Sequence, residues 1–448
     1  MNFLTKISGK SQAGAPVVFI VSLYITKALF FIYKIIIARM IGPAGYGIYS
    51  IILLFLLYAE YLHLGVANAL VKQVSFFRGQ GNTTEAAEIK KSAFSLMMIL
   101  ALTGTAIIIP IVYFIIRPED RLPAIFYFLA PVLILEQVWH YIVACFFADK
   151  KFTAFSETGV VSMLVSGVVI LPLIARFSFV GLLSGLFLMA VFTLLYAYIR
   201  FRPLLAFKFD LARYASLLKI GFPIILIFFI FAFFFTVDKL FIFRFLGKKS
   251  LGYYGIASGL SDLLILFPLA LGTWLFPGLS ETYGRTGEAA HLKNSVYKST
   301  IIISYLMSFI MVGVYLFFPF GVRMVLPQYI PGIAAARIAL IGVLFLAVSI
   351  PAKNFLIATN RQMKCLPIIF SALILKSALS YYFINRQMGI EGVAIASSAV
   401  YFGYSIVIVA YAFLCYEKGF LKLLKYLGSV YLPQLVLFSL MLAALFFV

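Results

Sequence analysis

Histidine, cysteine and acidic side chains are the scarce residues of this 448-residue chain, which has three His, three Cys and 15 Asp plus Glu. Cys145, Cys365 and Cys415 are odd in number and far apart, which argues against a disulfide framework and against a cysteine-based metal site. No Asp-x-Asp and no nucleophile with a neighbouring base stands out. The chain therefore reads as a non-enzyme without a cofactor. Gly9-Lys10-Ser11 looks like the tail of a phosphate loop, but Leu4 stands where the first glycine is required and no strand surrounds it. Charge is thin at 11% of residues, and no polar stretch exceeds roughly twenty residues, which leaves no room for a soluble domain.

What fills the chain is apolar: 64% of residues are hydrophobic and the mean hydropathy is +1.08, beyond what a soluble domain of this size carries. Runs of about 20 apolar residues cross the roughly 30 Å hydrocarbon core as helices. Thirteen are predicted, near 17–38, 48–70, 92–116, 123–147, 156–176, 178–200, 220–246, 255–276, 298–320, 332–352, 366–386, 391–415 and 427–447. The first has no cleavage site after it and is read as a retained span. Lys and Arg in alternate connections number 22 on the side of the N-terminus and 9 on the other. By the positive-inside rule the N-terminus is cytoplasmic. The formal charge of +21 is thus mostly topological, and because it is spread over seven loops a nucleic-acid partner is not expected.

The chain is also a duplication. KIIIARMIGPAGYGIY from Lys34 to Tyr49 returns 205 positions later as KLFIFRFLGKKSLGYY from Lys239 to Tyr254. Lys34, Arg39, Gly42, Gly47 and Tyr49 fall on Lys239, Arg244, Gly247, Gly252 and Tyr254 without a gap. A weaker echo relates Glu85–Lys90 to Glu288–Lys293. The predicted organisation is an all-α polytopic protein with a six-helix lobe at 1–200, a linker at 201–219, a second six-helix lobe at 220–415, and a loop with an extra helix at 416–448. Six spans per lobe is an even number, so the repeats are parallel and their pseudo-twofold runs along the membrane normal. In the linker, Leu204, Phe207, Leu211, Tyr214 and Leu218 recur at helical spacing, which predicts an amphipathic surface helix.

The candidate site residues are the ionisable groups inside spans. Lys27, Lys34, Lys239, Arg337 and Lys376 are basic, Glu60, Glu136, Asp238 and Asp262 acidic, and His63 and His140 titratable. Each Lys, Arg or Asp at the centre of a lipid-facing helix costs about 2.5–3.5 kcal/mol, so these groups are expected to face the bundle interior or a wet cavity. Adding Arg39, Arg244 and Lys353 at span ends leaves more cations than acids, which points to an anionic ligand. Lys34 and Lys239 occupy matching depths in the two repeats, with Arg39 and Arg244 further out. Glu60 and His63 are three apart and Glu136 and His140 four apart, so each pair shares a helix face and can serve ion coupling or act as neutral polar glue. No metal site is expected.

The turn ARMIGPAGYGIYS, the run DKLFIFRFLGKKSLGYYGIAS, Leu-Phe-Pro-Gly-Leu-Ser-Glu ending the eighth span and Ala-Thr-Asn-Arg after the tenth resemble polysaccharide biosynthesis proteins of the Wzx type, in the multidrug, oligosaccharidyl-lipid and polysaccharide (MOP) exporter superfamily. The resemblance covers about the first 420 residues. It implies a V-shaped pair of six-helix lobes in a bacterial cytoplasmic membrane. It further implies flipping of an undecaprenyl-pyrophosphate-linked oligosaccharide by alternating access, for O-antigen lipopolysaccharide, capsule or exopolysaccharide assembly. Membrane lipids and the polysaccharide polymerase and chain-length machinery are the implied partners. The alternatives are a multidrug or organic-cation exporter of the same superfamily and a peptidoglycan lipid-precursor flippase. The family has no fixed catalytic signature to place on this chain, so the site residues rest on the physical reading.

Overall fold

A computed structural model describes residues 14–115 and 123–445, with most side chains between Ala28 and Ser439. Gly9–Ser11 and the side chain of Lys27 lie outside the described residues. The described residues are helix, turn or short connection, and no strand occurs among them.

The first helix, α1, runs Gly14–Ala59 over 46 residues. At 1.5 Å per residue that is about 69 Å, more than twice the hydrocarbon thickness, so α1 has to break. It does so at Gly42, whose φ of 68° and ψ of 175° are open to glycine and costly for other residues. A 3₁₀ turn over Glu60–His63 and left-handed Leu64 and Gly65 lead into α2, Val66–Gly79. Then come α3, Thr83–Ile115, and α4, Pro123–Ala148. Helix α5, Phe152–Val165, passes through a π-type turn, Ser166–Ile170, into α6, Leu171–Phe201. That stretch breaks at Ser178, between the fifth and sixth predicted spans, and Gly181 lies so close to the Leu173 carbonyl that a Cβ would sit 1.9 Å from its oxygen.

Helix α7, Leu211–Phe241, ends in a second π-type turn, Ile242–Leu246, and α8 is Lys248–Thr286. The remaining helices are α9, Lys293–Val325; α10, Ile333–Ala358; α11, Cys365–Asn385; α12, Gly389–Tyr416; and α13, Phe420–Leu445. Ten helical stretches among the described residues are long and apolar enough to cross a membrane. Two of them, Ala28–His63 and Thr153–Phe201, each hold two of the predicted runs, so the first twelve predicted crossings are accounted for.

The chain forms two compact units. Unit 1 is residues 1–41 and 48–232, and unit 2 is residues 42–47 and 233–448. The boundary thus falls inside α7 rather than at the linker, and six residues of the first repeat are counted with the second unit.

In unit 1, α2 packs against α3 and α4 through Val66, Ala69, Leu70, Ala93, Met97, Tyr141 and Cys145, all buried, and Leu217 of α7 closes this core. Gly65 and Gly221 meet back to back, and a Cβ on either would lie 2.1 Å from the other's carbonyl oxygen. Tyr58 and Tyr61 pack on Phe229. The amphipathic helix expected over the linker fails in its first half. Residues 202–210 are not helical, with Arg202 left-handed, and helix begins only at Leu211. Pro203 removes a donor there, and ion pairs hold the segment and the start of α7 to the head of α3. Lys208 pairs with Glu88 and Arg213 with Glu85 at 3.1 Å, while the Lys208 N–H donates to Ser95 Oγ at 2.6 Å. Phe207 and Leu211, counted on the apolar face, are exposed.

In unit 2, α10 and α12 are the inner helices, with 67% and 61% of their apolar stretches buried against 22% for α5–α6. Small residues let them approach. Gly342 sits on Ser398, whose hydroxyl donates to the Ile338 carbonyl at 2.8 Å. The extra helix α13 is tied in by polar contacts. Ser304 donates to the Val430 carbonyl, Gln434 donates to Ser304 at 3.2 Å, and Tyr431 donates to Ser405 at 2.9 Å. Before it, Glu417 lies 2.6 Å from Lys293 and 3.0 Å from Lys422, and those ammonium groups hold its carboxyl below the usual carboxylate range.

Candidate functional site

The repeated motif has the same backbone in both copies. Gly42 and Gly247 share φ near 70–90° (68° and 86°) and ψ near 175° (175° and 176°). Tyr49 and Tyr254 are both buried, Lys34 and Lys239 half-buried, and Arg39 and Arg244 exposed. Within unit 2 the two turns touch reciprocally. A Cβ on Gly47 would lie 1.8 Å from the Lys248 carbonyl oxygen, and one on Gly252 would lie 1.8 Å from that of Pro43. Because Pro43 and Gly47 correspond to Lys248 and Gly252, each contact is the repeat image of the other. Tyr329, buried beside this seam, takes Tyr46 and Tyr253 edge-on with ring centroids 6.2 Å away.

Two helices that correspond in the repeat also close in the same way. Lys150 after α4 and Asn360 after α10 both have φ of 57°. The N–H groups of Asp149, Lys150 and Lys151 bond to the Cys145, Phe147 and Phe146 carbonyls, as those of Thr359, Asn360 and Arg361 bond to the Phe355, Ile357 and Leu356 carbonyls. The helix ends match at an offset of 210, while Asp-Lys-Lys and Thr-Asn-Arg share no residue. The same closing turn also ends α2 at Gly81 and α11 at Gln387, so it is a general helix stop of this chain.

Unit 2 also holds a buried polar cluster where α7, α8, α11 and α12 meet. Lys376 is fully buried; its ammonium donates to the Tyr401 hydroxyl at 2.9 Å and the Phe234 carbonyl at 3.0 Å, with Asp238 Oδ2 at 3.5 Å. Asp238 in turn accepts from Tyr254 at 2.6 Å, from Ser397 at 3.4 Å and from the Lys239 N–H at 3.0 Å. The predicted anionic-ligand lysine and the predicted coupling acid therefore sit in one network. Tyr254, Tyr401 and Ser397 were not foreseen, although Tyr254 is the repeat tyrosine. Arg337 lies over the Tyr315 ring at 4.8 Å, and Asp262 on α8 is exposed.

In unit 1 the two acid–histidine pairs converge. The His63 and His140 rings are 6.1 Å apart, while Glu60, expected inside, is exposed. His63 is buried and its Nδ1 accepts the Gly65 N–H at 3.0 Å, which places its own proton on Nε2. Between the pairs Gln137 donates to the Ala59 carbonyl. Among the described residues no three His, Cys, Asp or Glu side chains gather in a way that could hold a metal ion.

An all-helical chain with internally repeated spans and ionisable groups packed within each unit shares its fold with solved transporters of the MOP superfamily. A solved inward-facing multidrug resistance MATE family transporter of that superfamily superposes with a TM-score of 0.72 at 15% identity, covering 88% of this chain and 97% of its own. The Lipid II flippase MurJ in an inward closed conformation gives a TM-score of 0.72 at 16% identity over 95% and 93%. A MOP superfamily transporter from Pyrococcus furiosus Vc1 (DSM3638), described by the reverse polarity of its binding pocket, gives 0.63 at 16% identity over 89% and 94%. The MatE family model matches residues 223–382, and no curated protein matches the chain. The family model of polysaccharide biosynthesis proteins matches residues 16–283, and the chain belongs to that family.

Proposed function

We propose that the protein flips a polyprenyl-pyrophosphate-linked oligosaccharide across the bacterial cytoplasmic membrane for surface polysaccharide assembly. The observation that carries this reading is the duplicated lysine–arginine step. Lys34 with Arg39 in unit 1 and Lys239 with Arg244 in unit 2 stand on equivalent helix ends, and a pyrophosphate brings about two negative charges to meet them. Lys27 and Arg337 add to the cationic set. A polyprenyl tail can remain in lipid while the sugar moves. Flipping changes the leaflet and leaves the molecule intact, so the test is reconstitution with a fluorescent lipid-linked sugar and an impermeant quencher. Lys34→Gln with Lys239→Gln should lower the rate at least tenfold at normal abundance, and the two Lys→Arg changes should largely keep it. Full transport by the double glutamine variant would end this assignment.

Orientation is the second part of the proposal. The basic bias puts residues 71–91 and 201–219 in the cytoplasm and residues 248–253, at the start of α8, outside. Lys249 is exposed, so Lys249→Cys, in a background without the three native cysteines, should react with an impermeant maleimide added to intact cells. Reaction only after the cells are opened would reverse the topology.

The MatE match over 223–382 and the exposed Asp262 favour one second reading, an organic-cation exporter. It predicts that Asp262→Asn abolishes efflux of a lipophilic cation and that the lipid-linked sugar is not moved.

A further inference from the structure

The ammonium of Lys376 has surroundings unlike those of an ordinary buried ion pair. A charge-assisted N–H···O contact settles near 2.7–2.9 Å, yet the Asp238 carboxylate stands at 3.5 Å, and the two closer oxygens are neutral, the Tyr401 hydroxyl at 2.9 Å and the Phe234 carbonyl at 3.0 Å. Three oxygens from three positions on two helices, one anionic and two neutral, match the three N–H donors of an ammonium, and oxygens are also the ligands that hard cations take. The faces of Tyr401 and Phe234, with centroids 4.7 and 5.7 Å from the ammonium, add the ring attraction that favours a cation. The Oδ2 that faces the ammonium also accepts from Tyr254 and Ser397, and Oδ1 accepts from the Lys239 N–H. The oxygen arrangement therefore has supports of its own, apart from the lysine. Lys376 is fully buried and Asp238 nearly so.

We propose that Lys376 is a tethered monovalent cation. Its ammonium fills an oxygen cage within unit 2, made by Asp238, Tyr401 and the Phe234 carbonyl, that otherwise takes a free alkylammonium or alkali-metal ion. Burying Asp238 without a cation would leave an uncompensated charge, which is strongly destabilising, so the chain supplies the ion itself and unit 2 does not depend on a dissolved one. This does not rest on the identity of the transported molecule, and it takes Lys376 out of the set of groups available to an anionic cargo.

The cage is tested by removing the tether. In Lys376→Ala the missing atoms correspond to n-propylammonium. Thermal unfolding of the full-length protein in nanodiscs is measured in choline, sodium, potassium and n-propylammonium chloride at one ionic strength. The wild type should unfold at the same temperature in all four. Lys376→Ala should unfold lower in choline and recover saturably, by about 5 °C or more, with n-propylammonium or sodium. Asp238→Asn combined with Lys376→Ala should show no recovery.

Recovery no larger than that of the double variant overturns the proposal. If Lys376→Ala yields folded protein only when purified in n-propylammonium, the proposal stands, and failure in every salt overturns it. A saturable sodium or potassium effect on the wild type that Asp238→Asn removes also overturns it, since the cage would then admit a free ion beside the lysine.

Discussion

Replacing Gly47 or Gly252 by alanine should cost unit 2 about 3–5 kcal/mol, at the upper end of what single substitutions do. At both positions the added carbon would lie 1.8 Å from a carbonyl oxygen. The obstacle is backbone, on a turn whose own glycine is fixed by the reciprocal contact, so no side chain can swing aside. The two turns must part by more than an ångström, and the seam beside Tyr329 opens with them. The effect should be equal for the two glycines, because each contact is the repeat image of the other. It should also be far from additive, since one substitution already separates the surfaces that the second would clash with. Gly159, Gly313 and Gly403 are helical glycines with nothing within 4 Å of a built Cβ, and alanine there should be neutral or gain up to about 1 kcal/mol in helix propensity. Membrane abundance and thermal unfolding of the five single variants and the Gly47/Gly252 double variant would check this. Wild-type stability in Gly47→Ala would mean that the close approach is not maintained in the membrane.

The second large effect is expected at the convergence of Glu60, His63, Glu136 and His140. Glu60 and Glu136 lie three and four residues from two imidazoles whose rings are 6.1 Å apart, and acids and imidazoles gathered in this way bind a number of protons set by the whole group and not by any one member. Such a group in a membrane bundle can take up and release a proton during a transport cycle. Glu60→Gln with Glu136→Gln keeps shape and hydrogen bonding while removing both acids. Transport in vesicles should fall about tenfold or more, and its dependence on pH between about 5 and 8 should flatten. His63 needs separate treatment, because its Nδ1 also holds the Gly65 N–H at the left-handed turn. His63→Ala should lower stability by about 1–2 kcal/mol whatever its role in transport. An unchanged pH profile in the double glutamine variant would leave the cluster as polar packing only.

The first twelve spans, the repeat and the breaks at Gly42 and Gly247 were legible in the sequence because each is a local property: hydrophobic length, residue identity at a fixed offset, and glycine where the backbone must turn. The spacings of Glu60 with His63 and of Glu136 with His140 were visible for the same reason. Their meeting was not, since a helical spacing names a face and says nothing of which helix lies opposite. Lys376 and Asp238 are 138 positions apart, and only the packing of α7 against α11 and α12 brings them together. The linker misled for a different reason. Leu204, Phe207, Leu211, Tyr214 and Leu218 have helical spacing, but Pro203 and the pairing of Lys208 and Arg213 with Glu88 and Glu85 outweigh periodicity over so short a stretch. There the charges that looked like a solvated face are the ones that hold the chain.

Residues 42–47 are made early in the chain yet belong to unit 2. A ribosome extends a chain at about 5–20 residues per second, so roughly 10–40 s separate the synthesis of Pro43–Gly47 from that of Lys248–Gly252. Through that interval the first turn has already left the translocation machinery, and its mate does not yet exist. Its backbone carbonyls and the edge of Tyr46 must be covered by water, lipid headgroups or an insertion factor until the later turn arrives. Biogenesis of this protein therefore contains a waiting step whose length is set by chain length between the repeats, and slowing elongation between residues 48 and 247 should lengthen the time over which the early hairpin is open to proteolysis.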